Sequence, residues 1–334
     1  MDRKQKTKNR ILSTLCGHSE PVSSGKITEM LHAAGVMVSE RTVRLHLVEA
    51  DADGLTENHP RKGRTITPLG LEEIRVLQTV QRVGYLSAKI DQMTYRMSFD
   101  LQRRSGTVVV NTSIVDVSLL YRYSREVCEV FRQGYAMGTR MCLLAEGERI
   151  GDVTIPPGKV GFCTVCTITI NGVLLKHGIP VASRFGGLLE LRGGEPTRFV
   201  EVIHYDGTSI DPLEVFIRSG MTNYHGAITD GNGRVGASFR ELPSGCREAV
   251  VHIGEELQAI GLGAIQDIGL ADQAIHGVPV APGRIGMILV GGLNPIAILE
   301  ERNHRVDSMA LSGLLEFNRL HSYEELPKRL KRLM

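Results

Sequence analysis

One stretch of this chain recurs at an offset of 125 residues. Ile150-Gly151-Asp152-Val153-Thr154-Ile155-Pro156-Pro157-Gly158-Lys159-Val160-Gly161 returns as Ile275-His276-Gly277-Val278-Pro279-Val280-Ala281-Pro282-Gly283-Arg284-Ile285-Gly286. At the same offset Met137-Gly138 answers to Leu262-Gly263 and Ser113 to Ser238, and Gly187-Leu188-Leu189-Glu190 answers to Gly313-Leu314-Leu315-Glu316 one residue out of phase. A repeat of this kind marks a duplicated structural unit. Residues 98–325 are therefore expected to form one domain with pseudo-twofold symmetry, its halves lying at about 98–195 and 225–320.

Each half reads as a hairpin (98–115, turning at Arg104-Ser105-Gly106; 225–239, turning at Asp230-Gly231-Asn232-Gly233) and then a helix (118–133; 244–260). Extended segments lead through the Pro-Gly-Lys or Pro-Gly-Arg turn into an apolar strand, 160–170 or 285–290. A short helix closes the unit, capped by Asn171 in the first half and by Asn294, with Pro295 at the first helical position, in the second. Between the halves, 199–205 reads as a strand, and a helix begins near Asp211-Pro212.

Residues 1–67 read differently. Ile11, Leu12 and Leu15 make the apolar stripe of a first helix. Ser23 or Ser24 caps a second, carrying Ile27, Met30 and Leu31 and ended by Gly35. Ser39 caps a third, on which Val43, Leu47 and Val48 are expected inside and Arg41, Thr42, Arg44 and His46 outside. A hairpin follows, with Asn58-His59-Pro60-Arg61-Lys62-Gly63-Arg64 at its tip. This is the pattern of a winged helix-turn-helix. Its third helix would place Ser39, Arg41, Thr42, Arg44 and His46 against base edges of double-stranded DNA, and Arg61, Lys62 and Arg64 would hold the backbone. A winged helix used only for protein association is the alternative. Residues 68–97, with Leu77, Val80, Val83, Leu86, Ile90 and Met93 at helical spacing and a break near Gly84, read as a helical connector. The fold class is thus multidomain, α and α/β (α+β): a winged helix-turn-helix followed by an internally duplicated mixed α/β regulatory domain.

Composition narrows the function. Hydrophobic residues at 42% and charged residues at 23% exclude a disordered chain and a membrane-spanning one. The 37 glycines point to repeated turns and close backbone approaches. The net charge of +2 divides into +3 for residues 1–66 and −1 for the rest, so DNA binding must rest on local placement of charge. Without a secretory signal, a soluble cytoplasmic protein is expected, its six cysteines free thiols. Cys163 and Cys166 lie in an apolar strand and point to opposite faces, which favours buried structural thiols over zinc or redox chemistry. No two histidines have ligand spacing on one element, so no metal is expected. Gly261-Leu262-Gly263-Ala264-Ile265-Gln266 only begins like a dinucleotide loop, and neither a Walker loop nor a serine elbow occurs. Catalysis has no support.

The head, read as Lys8-Asn9-Arg10-Ile11-Leu12-Ser13-Thr14-Leu15 through Ser39-Glu40-Arg41-Thr42-Val43-Arg44-Leu45-His46-Leu47, is followed by Ile155-Pro156-Pro157-Gly158-Lys159-Val160-Gly161. With Val280-Ala281-Pro282-Gly283-Arg284-Ile285-Gly286-Met287-Ile288-Leu289-Val290-Gly291-Gly292-Leu293-Asn294-Pro295, the chain resembles the NrpR family of nitrogen-regulatory transcriptional repressors. The resemblance implies a homodimeric repressor of nitrogen-assimilation genes that needs no cofactor and leaves its operator when the effector 2-oxoglutarate binds. Many members carry two regulatory domains, and this chain reads as having one.

A dicarboxylate needs backbone amides and cations. Gly291 and Gly292 before Asn294, Asn171 at the corresponding place, and Lys159 and Arg284 in the equivalent turns are the expected effector-binding residues. Glycines that merely allow close packing, with both cations solvated, are the alternative. Two other readings stay open: a regulator of a different metabolite, and a small-molecule-binding or enzymatic domain with a protein-associating winged helix.

Overall fold

The computed structural model describes residues 3–18, 20–81 and 85–334, with side chains described over 7–18, 20–74 and 85–334. The chain divides into two compact units, Met1–Val83 and Gly84–Met334.

The first unit is a winged helix. α1 (Arg3–Cys16), α2 (Ser24–Ala33) and α3 (Glu40–Ala52) precede the hairpin of β1 (Thr56–His59) and β2 (Gly63–Ile66), and α4 (Pro68–Gln81) follows. Ser23 and Ser39 cap α2 and α3, their hydroxyls accepting from the amides of Lys26 and Thr42. Ile11, Leu15, Val22, Ile27, Leu31, Val43 and Leu47 form one core cluster. Gly63 is required where the wing crosses Val22: its φ is +122°, and a Cβ there would lie 2.3 Å from the Val22 carbonyl. Residues 68–97 are not one connector, because α4 belongs to this unit and α5 (Tyr85–Arg96) to the second. The side chains of Leu77 and Val80, and Val83 and Gly84 altogether, lie outside the described residues.

In the second unit the first half runs through β3 (Thr107–Asp116), α6 (Val117–Arg122), α7 (Ser124–Arg132), β4 (Arg140–Leu144), the small hairpin β5 (Arg149–Ile150) and β6 (Val153–Thr154), β7 (Lys159–Val165), α8 (Ile168–Lys176) and β8 (Ala182–Arg192). β9 (Glu195–His204), α9 (Pro212–Arg218) and α10 (Tyr224–Thr229) intervene. The second half repeats the plan with β10 (Gly233–Pro243), α11 (Arg247–Ala259), β11 (Ile265–Ile268), β12 (Arg284–Val290), α12 (Ala297–Glu301) and β13 (Asp307–Glu316). β14 (His321–Ser322) and α13 (Leu326–Lys331) end the chain.

Three expectations change. The hairpin expected at 225–239 has a helix, α10, as its first arm, capped by the Asn223 side chain. The strand expected at 160–170 ends at Val165, where α8 begins, so Asn171 sits inside that helix and caps nothing. Asn294 opens a 3-10 turn with Pro295 behind it, but its side chain makes no cap. In both cases a polar residue near a helix start is used for tertiary bonding instead.

The halves exchange strands. One sheet has the order β13-β3-β7-β4-β14 and the other β11-β12-β10-β8-β9, with antiparallel pairing throughout. The sheets are therefore those of an α+β domain. The closing strand of each half, β8 or β13, pairs with the opening strand of the other, so neither sheet is complete without both halves. One contiguous core joins them. On β13, Met309 pairs with Thr112 and Gly313 with Val110, which leaves Ala310, Leu311 and Ser312 bulging opposite Asn111.

Candidate functional site

The winged-helix unit presents one outward face. On α3 the buried residues are Val43, His46, Leu47 and Ala50, an i, i+3, i+4, i+7 stripe. The opposite stripe is Arg41, Arg44, Leu45 and Val48, all exposed. This corrects two expectations. His46 is only 4% exposed, with Nδ1 3.3 Å from Glu49 Oε2, whereas Val48 is 58% exposed. Helical spacing overrides the polarity of the individual residue, and the same spacing could have found Leu45 and Val48. Ser39 is tied up as the cap, with Thr42 2.9 Å from its hydroxyl. Arg44 donates to Glu40 at 2.7 Å yet stays largely exposed; the hydrogen bond from Ser24 and then that from Arg44 hold the Glu40 carboxyl below its ordinary range.

At the wing, Arg61 and Lys62 are exposed. Arg64 is not at the tip. Its Nε lies 2.8 Å from Asp51 Oδ2 at the end of α3, and Thr56 donates to the same carboxylate. Arg64 therefore fixes the wing against α3 through its pair with Asp51.

The second unit holds a buried polar cavity where the exchanged strands meet. Asn111, Cys166, Thr167, Tyr205, Asp211, Leu213, Ser238, Gly291, Gly292, Leu293 and Ala310 line it. Beside it lies Arg240, with a relative exposure of 0%. Its guanidinium donates to Asn171 Oδ1 at 3.2 Å, Thr167 Oγ1 at 3.3 Å and the Phe239 carbonyl at 3.4 Å, and it sits 5.5 Å from the Tyr205 ring centroid. Those hydrogen-bond partners are all neutral. Two carboxyls are close by. Burial pushes Asp211 up against the amides of Leu213 and Glu214 that hold it, and burial pushes Glu214 up to about 7. Glu214 accepts the Ala310 amide, and Lys89 on α5 donates to the Ala310 carbonyl at 3.3 Å.

Two polar atoms here lack partners. Ser113 meets Ser308 across the β3–β13 pairing with the hydroxyls 2.8 Å apart. Its repeat equivalent, Ser238, stands opposite Gly186, which offers no hydroxyl, and the Ser238 hydroxyl is buried without a hydrogen bond. Asn294 donates to the carbonyls of Tyr135 and Gly236, while its Oδ1 is buried and unpaired.

Of the expected effector residues, Gly291 and Gly292 line this cavity, whereas Asn171 bonds to Arg240 and Ser183 and Asn294 to the Tyr135 and Gly236 carbonyls outside its lining. Lys159 and Arg284 do not line it either. They begin the seven-residue strands β7 and β12, whose far ends reach the cavity about 20 Å away at the usual rise per residue. Lys159 pairs there with Asp116 at 2.8 Å. Arg240, Ser238, Thr167, Tyr205 and Asp211 were not anticipated. Arg240 had a signal in the alternation Gly236, Ser238, Arg240, Leu242 along one face of an otherwise apolar strand.

Cys163 and Cys166 are both buried, and burial pushes each thiol up to about 12. Among the described residues no group of three His, Cys, Asp or Glu is placed to hold a metal ion, and no helix is long and apolar enough to cross a membrane.

Comparison with known proteins decides the family. Residues 83–322 match the description "NrpR regulatory domains NRD1 and 2". The chain belongs to the NrpR family. Residues 9–74 match a "Ribonuclease R winged-helix domain". The NrpR protein named "Global nitrogen regulator NrpRI" from Methanosarcina mazei is 32% identical over 92% of this chain and 94% of its own length. "Global nitrogen regulator NrpR" of Methanocaldococcus jannaschii is 31% identical over 95% of this chain, and that of Methanococcus maripaludis 30% over 92%. The chain spans about half the length of these two, 55% and 54%. A solved nitrogen repressor-like protein from Methanococcus jannaschii superimposes with a TM-score of 0.60 at 25% identity, covering 71% of this chain and 97% of its own. These NrpR relatives are named as regulators and not as enzymes.

Proposed function

We propose that this chain is a cytoplasmic, homodimeric repressor of nitrogen-assimilation genes that binds operator DNA through its winged helix and is released by 2-oxoglutarate bound in the regulatory unit. The observation that carries the reading is the union, in one chain of a family of nitrogen regulators, of a winged helix with an outward Arg41 and Arg44 face and an NrpR regulatory domain. α3 would lie in the major groove, where Arg41 and Arg44 pair with base edges and Leu45 and Val48 meet thymine methyls. Arg61 and Lys62 would reach phosphates. A two-fold dimer would read half-sites about one helical turn, roughly 34 Å, or a multiple of it apart. The effector needs no cofactor, only a state-dependent affinity that shifts the two heads.

Footprinting of the full chain on its own upstream DNA tests this reading. Two protected half-sites and affinity that falls steeply with salt are expected. The exposed Leu45 and Val48 also favour a second reading, a protein-binding face, and absence of DNA binding at low salt would select it.

A further inference from the structure

The two halves of the regulatory unit are finished differently at one edge. β4 and β11 are equivalent strands: Cys142 pairs with Cys163 and Asp267 with Ile288, both at the repeat offset of 125. The helices before them correspond as well. Gly134 (φ +77°) follows α7 and Gly261 (φ +79°) follows α11, and the Tyr135 amide bonds to the Val130 carbonyl as the Leu262 amide does to that of Leu257. Cys128 and Phe131 on α7 therefore stand where Glu255 and Gln258 stand on α11.

In the first half this place is covered. His321 and Ser322 of β14 pair with Met141 and Arg140 on the outer edge of β4. The Tyr323 ring stacks on Phe131 with centroids 5.1 Å apart, and Cys128 donates to the Tyr323 carbonyl at 3.5 Å. Leu326 and Leu330 of α13 are buried against α6 and α7. In the second half, among the described residues, no strand pairs with the outer edge of β11. Beside it runs an open groove of about 540 Å³ whose lining includes Val251, Ala259, Ile265 and Ile268 besides Glu255 and Gln258.

We propose that this edge and groove dock an extended, basic segment of a partner protein, which adds a strand to β11 and sets apolar anchors against α11. An open sheet edge offers main-chain hydrogen bonds to a strand from outside, and the groove beside it selects the side chains. β14 and α13 are the internal example of such an addition. Charge selects the occupant. Glu248, Glu255 and Glu256 of α11 and Asp267 of β11 surround the groove. Against them stand Arg247, turned to the Gly269 carbonyl, and His252 and His276, which lie 3.9 Å from Glu256 and 3.0 Å from Asp267. The segment that covers the equivalent place is basic, since residues 326–334 hold Lys328, Arg329, Lys331 and Arg332 and no acid. A second copy of this chain meeting edge to edge would bring acidic rim against acidic rim, and DNA would meet the same negative rim. Like charge disfavours both.

The test is fluorescence anisotropy of a labelled synthetic peptide with the sequence of residues 318–334, titrated with the full chain and with its Ala259→Arg and Glu255→Lys variants. Both positions are exposed on α11, so melting temperatures equal to wild type are expected. The wild-type chain is expected to bind the peptide with a Kd of about 100 µM or below, either variant at least tenfold more weakly, and a Leu326→Asp/Leu330→Asp peptide not at all. No saturation at millimolar peptide, or wild-type affinity in either variant, would overturn the docking site. A wild-type dimer that falls apart in Ala259→Arg during sedimentation would assign the edge to a second copy and overturn the proposal likewise.

Discussion

Arg240 on β10 donates from Nε to Oδ1 of Asn171 on α8 at 3.2 Å, so the opening strand of one half is bonded to the closing helix of the other. The Asn171 amide also reaches Ser183 on β8 at 2.9 Å. Asn171→Ala leaves a fully buried guanidinium short of an acceptor and is expected to destabilise the regulatory unit by about 1–3 kcal/mol. Urea denaturation reads this directly, and a change below about 0.5 kcal/mol would deny the bond a structural role.

The strand exchange predicts how the regulatory unit behaves when cut. Residues 84–222 alone leave β3 without β13, and residues 223–334 leave β10 without β8. β3 keeps β7 and β10 keeps β12, but each is left with a bare edge on a strand with buried faces, and such edges aggregate. Each fragment is expected to be insoluble when expressed singly, and the two are expected to co-purify as a folded complex when expressed together. Independent folding of either fragment, seen by its own cooperative melt, would contradict the exchanged pairing.

Glu214 gives the unit a pH dependence of definite sign. Its folded pKa is raised to about 7 by burial, while the unfolded chain ionises near the ordinary value of about 4.3. Between those values the native state holds the proton and the unfolded state does not. Stability therefore falls as pH rises from about 4.5 through 7 and levels above, by an amount on the order of 3 to 4 kcal/mol. Glu214→Gln keeps an acceptor for the Ala310 amide and should flatten this part of the profile in denaturation series at pH 5 and pH 7.5.

In the head, stability and DNA contact separate by residue. Asp51→Ala frees Arg64 and Thr56 together and should cost about 1–3 kcal/mol. Lys62→Ala should leave stability within about 0.5 kcal/mol while lowering the salt slope of DNA binding by about 1. Melting curves and binding isotherms at several salt concentrations check both. Equal effects from the two substitutions would remove the distinction between the structural Arg64 and the exposed wing.

The legible parts of the sequence were those set by local spacing. Ile11, Leu15, Ile27, Leu31, Val43 and Leu47 announce three packed helices, and Ser39 and Asp211 mark helix starts because their side chains cap the next turn. The duplication was legible from the paired Pro-Gly turns. The exchange of β8 and β13 was not, because a strand's sequence specifies its buried faces and not which distant edge it joins. His46 and Val48 were misplaced by weighing polarity above the 100° step of the helix. Arg240 escaped notice because arginine ordinarily lies on the surface, and its burial depends on Asn171 and Thr167 from the other half. Lys159 and Arg284 drew attention through repeat equivalence, yet equivalence placed each at the start of its own strand, the end away from the cavity.

The most direct test of the central claim is equilibrium binding of the full chain to its own upstream DNA, followed by fluorescence anisotropy while 2-oxoglutarate is titrated. Tight binding without effector is expected, with release as 2-oxoglutarate rises through the concentration at which calorimetry shows it bound. Binding that stays tight at saturating 2-oxoglutarate would contradict that claim.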